Sequence, residues 1–164
     1  LRIVSTDRIE KTVVLQAPLE RVWRAISDAR EFGSWFGMAL DGPFVAGNRV
    51  VGTIAPTQVD PDVAATQAPH AGTRVVLDVE AVEPMRRFAY RWSPDIGDGG
   101  ATHATTTLVT FDLEPVDGGT RLTITESGFD AIPLERRATV LAGNDAGWTA
   151  QTGLIAQYLA LAPR

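Results

Sequence analysis

The sequence predicts an α+β fold: a curved antiparallel sheet of about six strands packed round one long C-terminal helix, with two short helices after the first strand. Three observations carry this. Between Arg74 and Glu126, apolar residues alternate with polar ones in four successive segments. Short turn signals join most of those segments, the mark of an antiparallel meander. From Leu134 to Leu161 the apolar period changes to three and four, the spacing of one helix face. A sheet with one apolar face must cover that face, and the last segment is the only predicted element long enough to do so.

The elements follow in order. Ile9, Val13 and Leu15 share one parity, so Ile9–Leu15 is the first predicted strand. Ala17-Pro18 opens a helix, because the N–H that proline lacks would be unbonded there anyway. Val22, Ala25 and Ile26 then recur at helical spacing, with Trp23 beside them. A second short helical piece covers Asp28–Trp35 and ends near Gly37, and Gly47–Ile54 reads as a strand. Ala55–Gly72 reads as neither element, since Pro56, Pro61 and Pro69 interrupt it. A segment of that length without regular structure fits a lid over a pocket or a surface insertion.

Val75, Leu77, Val79 and Ala81 alternate along the next strand, and Glu83-Pro84-Met85-Arg86 turns it. Phe88, Tyr90 and Trp92 share the inner parity of the following one. A loop over Ser93–Ala104 holds Asp95, Gly97, Asp98, Gly99, Gly100 and His103. Val109, Phe111 and Leu113 alternate next, and Asp117-Gly118-Gly119 supplies a hairpin turn. Leu122, Ile124 and Glu126 then face one way, Thr123 and Thr125 the other. The final helix starts at Pro133 and Glu135, and its predicted inner stripe runs through Leu134, Ala138, Leu141, Asp145, Trp148, Thr152, Ile155 and Leu159. Gly143, Gly147 and Gly153 weaken it by about 1 kcal/mol each relative to alanine. A kink or break is therefore expected near Gly143–Asn144, with Asn144 capping a second segment. No repeat or linker divides the chain, so residues 1–164 are expected to form one domain.

Composition removes several function classes. The net charge of −5 and the pI near 5.0 argue against a nucleic-acid surface. No run approaches the roughly 20 apolar residues of a membrane span. No charged start followed by an apolar run marks a signal peptide, so a cytoplasmic location is expected. Cysteine is absent, which excludes disulfides, thiolate nucleophiles and cysteine-ligated metals. His70 and His103 lack ligand spacing, so no metal and no cofactor is expected. Ser34 in Gly33-Ser34-Trp35-Phe36-Gly37 sits one place early for a nucleophile elbow. Gly97-Asp98-Gly99-Gly100 precedes no helix and is a turn, not a phosphate cradle. No catalytic residue is named by any of these patterns.

Glu126 stands out, because strand parity puts it on the buried face with Leu122 and Ile124. A carboxylate there loses its hydration, as suits a general acid or a ligand-polarising group. Alternatively the strand ends at Ser127-Gly128 and leaves it at the wet mouth, or paired with an arginine. Asp145 and Thr152 interrupt the helix stripe on either side of Trp148. They face a cavity, or else Asp145 serves the helix dipole and Thr152 bonds within its own helix. Trp35, Phe36, Tyr90, Trp92 and Trp148 are expected on the inner side, packing a core or lining an aromatic cavity. His103 reaches the cavity mouth or solvent.

Ala17-Pro18, Val22-Trp23, Trp35-Phe36, the segment EPMRRFAYRW (83–92), the segment GGTRLTITESGF (118–129) and Gly147-Trp148 occur in one order along nearly the whole chain. In this the sequence resembles the START-like, or birch-pollen-allergen-like, superfamily. Within it, the resemblance is to the branch named for homologues of the activator of the ninety-kilodalton heat-shock-protein ATPase. The resemblance implies a helix-grip fold with an apolar cavity between sheet and long helix. It also implies a small hydrophobic or aromatic ligand. A monomer or homodimer is expected. Trp35, Phe36, Tyr90, Trp92, Glu126, Asp145, Trp148 and Thr152 are the candidate ligand-binding residues. An alternative is a cyclase-, hydratase- or hydrolase-like enzyme with Glu126 as acid or base and His103 or Asp145 as its partner. A second alternative is a chaperone-linked or other interaction module. The branch name implies chaperone activation, but the eukaryotic activators resemble this chain only in their C-terminal domain.

Overall fold

The computed structural model describes residues 7–94 and 105–161. Seven strands form one antiparallel sheet: β1 (Arg8–Leu15), β2 (Met38–Leu40), β3 (Arg49–Ile54), β4 (Arg74–Glu83), β5 (Arg87–Trp92), β6 (Thr107–Val116) and β7 (Gly119–Ser127). Their order across the sheet is β1-β7-β6-β5-β4-β3-β2, so every strand after the first lies beside its sequence neighbour. Helices α1 (Leu19–Ser27) and α2 (Ala29–Phe36) join β1 to β2, and α3 (Pro61–Gln67) joins β3 to β4. The long helix α4 (Leu134–Leu161) follows β7 and packs against β1, α1 and α2. This is the predicted helix-grip arrangement, with one strand more than expected.

Local chemistry explains the short helices. The Pro18 carbonyl accepts from the N–H groups of Arg21 and Val22, which starts α1. The Asp28 side chain accepts from the N–H groups of Arg30 (3.0 Å) and Glu31 (2.9 Å) and caps α2. Gly37 ends α2 at φ 101°, and a Cβ there would also lie 2.6 Å from the Gln67 side chain. The extra strand, β2, is three residues long, too short for an alternation to register.

Two expectations need correction. Residues 55–72 are not without regular structure: α3 occupies Pro61–Gln67 and a short 3-10 turn follows at Ala68–His70. Asp60 caps α3 through the N–H groups of Asp62 and Val63, and Pro61 takes its first position. The C-terminal helix does not break near Gly143–Asn144; it is continuous from Leu134 to Leu161. A 28-residue helix docked on the sheet outweighs the propensity cost of three glycines.

Aromatic rings cluster within the core under the sheet. Phe32 is wholly buried and packs 4.7 Å from Phe36, 5.2 Å from Trp35 and 5.4 Å from Phe44, centroid to centroid. Phe88 and Phe111 close over it from β5 and β6 at 6.1 Å each. Each buried ring contributes about 1.5–3 kcal/mol, so this cluster is the anchor of the fold. The cluster stops near the end of β5, where Trp92 meets α4.

Candidate functional site

Parity on β7 holds to its end, and Glu126 is wholly buried beside Val109 of β6 and Ile9 of β1. Four side chains satisfy it. Trp148 Nε1 donates to Oε1 at 2.7 Å, and Trp92 Nε1 donates to Oε2 at 2.8 Å. Thr107 Oγ1 donates to Oε2 at 2.5 Å. Asn144 Nδ2 reaches both oxygens, at 3.0 and 3.2 Å. An ionised carboxylate is acceptor-only, and this donor set matches that form. Among the described residues no cation pairs with it. The Tyr90 hydroxyl is buried nearby without a hydrogen-bond partner. Burial, and after it the charge of Glu126, push that phenol well above its ordinary pKa.

Three of the side chains that hold Glu126, Trp92, Asn144 and Trp148, also line a cavity of about 220 Å³. Trp92 and Trp148 lie 5.8 Å apart and Phe36 sits 6.1 and 5.9 Å from them, so three rings form one aromatic wall. Met38, Ile54 and Val75 add apolar surface from the sheet. Thr66, Gln67 and His70 close one side from α3 and the turn after it. Segment 55–72 is thus part of the cavity wall. Gln67 and Gln151 both donate to the Phe36 carbonyl, at 3.1 and 3.0 Å. The Gln67 Oε1 accepts from the Thr57 N–H at 2.7 Å, whereas the Gln151 Oε1 is buried with no partner. A larger depression of about 720 Å³ runs along α2 and β2. Its lining includes neither a buried carboxylate nor a cluster of rings.

The expected site residues divide into two groups. Phe36, Trp92 and Trp148 line the cavity, with Glu126 behind them. Tyr90 is buried against Trp92 at 5.3 Å and is not in the wall. Trp35 belongs to the filled core, its indole N–H donated to the Ala25 carbonyl at 2.9 Å. Asp145 and Thr152 do not line the cavity. Asp145 is exposed and pairs with Lys11 of β1 at 3.0 Å, and Thr152 bonds to the Thr149 carbonyl of its own helix. The polar residues that do face inward stand one position earlier, Asn144 and Gln151. One residue is about 100° of helix rotation, enough to move a side chain from wall to surface. The stripe that would have located them runs Val140, Asn144, Trp148, Gln151 and Ile155. His103 and Gly97–Gly100 lie outside the described residues.

Among the described residues, no group of three or more acidic or histidine side chains is arranged to hold a metal. Nor is any helix there long and apolar enough to cross a membrane.

Comparison with known structures places the architecture. DynU16, a protein in the dynemicin biosynthetic locus, is 26% identical with a TM-score of 0.68 over 94% of this chain. This chain spans only 48% of that protein. MLL2253 from Mesorhizobium loti is 22% identical with a TM-score of 0.71, over 96% of this chain and 99% of its own. Ms6760 from Mycobacterium smegmatis is 19% identical with a TM-score of 0.67, over 94% and 92%. At those identities the last two speak to the fold alone. No curated protein matches. The sequence matches the family described as Activator of Hsp90 ATPase homolog 1-like protein over residues 16–160, most of its length. With the helix-grip architecture in place as well, the chain belongs to that family.

Proposed function

We propose that this protein binds a small hydrophobic or aromatic molecule in the cavity between the sheet and α4. The observation that carries the reading is the wall itself. Three aromatic rings flank a cavity of about 220 Å³ beside a wholly buried carboxylate that fixes two of them. Ligand sites are typically apolar with a few placed polar groups, and this wall has that composition. A cavity of about 150 Å³ admits benzene, so this one suits one or two rings. Phe36, Trp92 and Trp148 would contact the ligand. Glu126 would act as a positioning residue, since all of its hydrogen bonds go to protein groups and its surface is covered. That burial speaks against proton exchange with a ligand.

Native mass spectrometry of the protein from its own cells tests this, with released compounds identified after denaturation. A stoichiometric apolar or aromatic compound, lost in Trp92→Ala, is the expected result. A protein that arrives empty and also fails to bind one-ring aromatics in solution would overturn the reading.

A further inference from the structure

Three features of the cavity go beyond what holding the fold requires. The first is charge. Glu126 sits directly behind the aromatic wall with only neutral donors on it, and among the described residues no lysine or arginine lines the cavity. A buried charge of this kind is normally paired with an opposite one. A charge covered by protein is screened less than one in water, and its field reaches the cavity. The second is the wall. Phe36, Trp92 and Trp148 present ring surfaces, the groups that attract cations through their quadrupoles. The third is a fixed acceptor. Gln151 must point its Nε2 at the Phe36 carbonyl, because the flipped amide would set two acceptors face to face. That leaves its Oε1, buried and unpartnered, as an acceptor on a side chain that lines the cavity.

A negative field, cation-attracting faces and an unused acceptor favour one ligand chemistry. We propose that the cavity takes an organic ammonium, a one-ring aromatic or aliphatic amine in its protonated form, with its charge held over the Trp92 and Trp148 rings and an N–H donated to the Gln151 Oε1, which a small turn of that half-buried side chain uncovers. The assignment rests on the cavity-binding reading above and narrows it. Anionic aromatics are disfavoured by the same field, and neutral ones gain only the apolar contact.

Four probes of nearly equal size separate the possibilities: 2-phenylethylammonium, 2-phenylethanol, ethylbenzene and phenylacetate. Their affinities are measured by calorimetry at neutral pH, with the indole N–H resonances reporting the place of binding. The expected order is ammonium, alcohol, hydrocarbon, carboxylate, with the ammonium at least about tenfold tighter than the alcohol. Glu126→Gln should reduce that preference to about threefold or less while the hydrocarbon still binds. Gln151→Met, which keeps the side-chain length, should weaken the ammonium and the alcohol and spare the hydrocarbon. Should Glu126→Gln fail to fold, the wild-type probe series decides alone. Equal or tighter binding of 2-phenylethanol or ethylbenzene overturns the ammonium assignment and leaves the cavity reading standing. Binding by none of the four, with unmoved indole resonances, overturns both.

Discussion

Of the carboxylates that fasten α4 to the rest of the molecule, Glu126 and Glu31 are built differently. Near its middle, Asn144 and Trp148 donate to Glu126, which is wholly buried and surrounded by neutral donors. Near its end, Tyr158 donates to Glu31 at 2.7 Å, and there two guanidiniums share the load, Arg21 at 2.8 Å and Arg24 at 2.9 Å. Glu31 keeps about a fifth of its side chain exposed, and the Arg21 guanidinium lies 5.4 Å from the centre of the Tyr158 ring. The Glu31 site neutralises its own charge at the surface. The Glu126 site buries a charge that has no counter-ion among the described residues and turns three of the donors that hold it into the wall of a cavity. One is a clip that needs nothing further; the other leaves its charge to act on what enters.

Removing each carboxylate tests that difference, and Glu126 should matter most. Glu126→Leu strands the Trp148 N–H and the Thr107 hydroxyl in apolar surroundings. Trp92 and Asn144 are only partly buried at the cavity and recover water, whereas Trp148 is buried. The net loss should be about 3–5 kcal/mol, measured by urea unfolding. A loss under about 1 kcal/mol would mean that the donors find other partners, and the two sites would be energetically alike.

Glu31→Gln should cost less, about 1–2 kcal/mol at pH 7 by the same measurement. Its dependence on pH is the sharper signature. Burial pushes the Glu31 carboxyl up, but the bonds from Tyr158 and Arg21 and the charges of Arg21 and Arg24 outweigh it and hold the group below its ordinary value. A carboxyl depressed in the folded state adds stability above its unfolded pKa and loses it as pH falls through the folded one. The wild type should therefore lose its advantage over Glu31→Gln as pH falls below about 4. A gap that persists unchanged to lower pH would place the effect in shape, not charge.

How much of this was readable in the sequence depends on what each residue's neighbours repeat. Phe88, Tyr90 and Trp92, and Leu122, Ile124 and Glu126, repeat with period two, so the buried face of each strand and the acid within it were legible. β2 is too short to repeat. The start of α3 was signalled by Asp60-Pro61, but the prolines around it hid a helix with no buried residue and therefore no apolar period. On α4 the difficulty was phase. Gly143, Gly147 and Gly153 leave gaps in the apolar pattern, so a stripe through Asp145 and Thr152 fits the letters as well as one through Asn144 and Gln151. What decides between them is long-range: Lys11 on β1 draws Asp145 outward, and Glu126 on β7 draws Asn144 inward.

That one-residue step gives the smallest and most local test. Asn144→Ala removes both contacts of Nδ2 with Glu126 and should cost about 1–2 kcal/mol, as a hydrogen bond to a charged group does. Asp145→Ala removes an ion pair whose carboxylate is about half exposed, and should cost less than about 0.5 kcal/mol. Ligand affinity should follow the same division, with Asn144→Ala weakening it and Asp145→Ala leaving it unchanged. High salt should erase what little Asp145 contributes and leave the Asn144 effect in place, because screening reaches an exposed pair far more than a buried contact. Equal costs for the two variants would mean that α4 lies rotated by about one residue, which would put Asp145 in the wall and remove Asn144 from it.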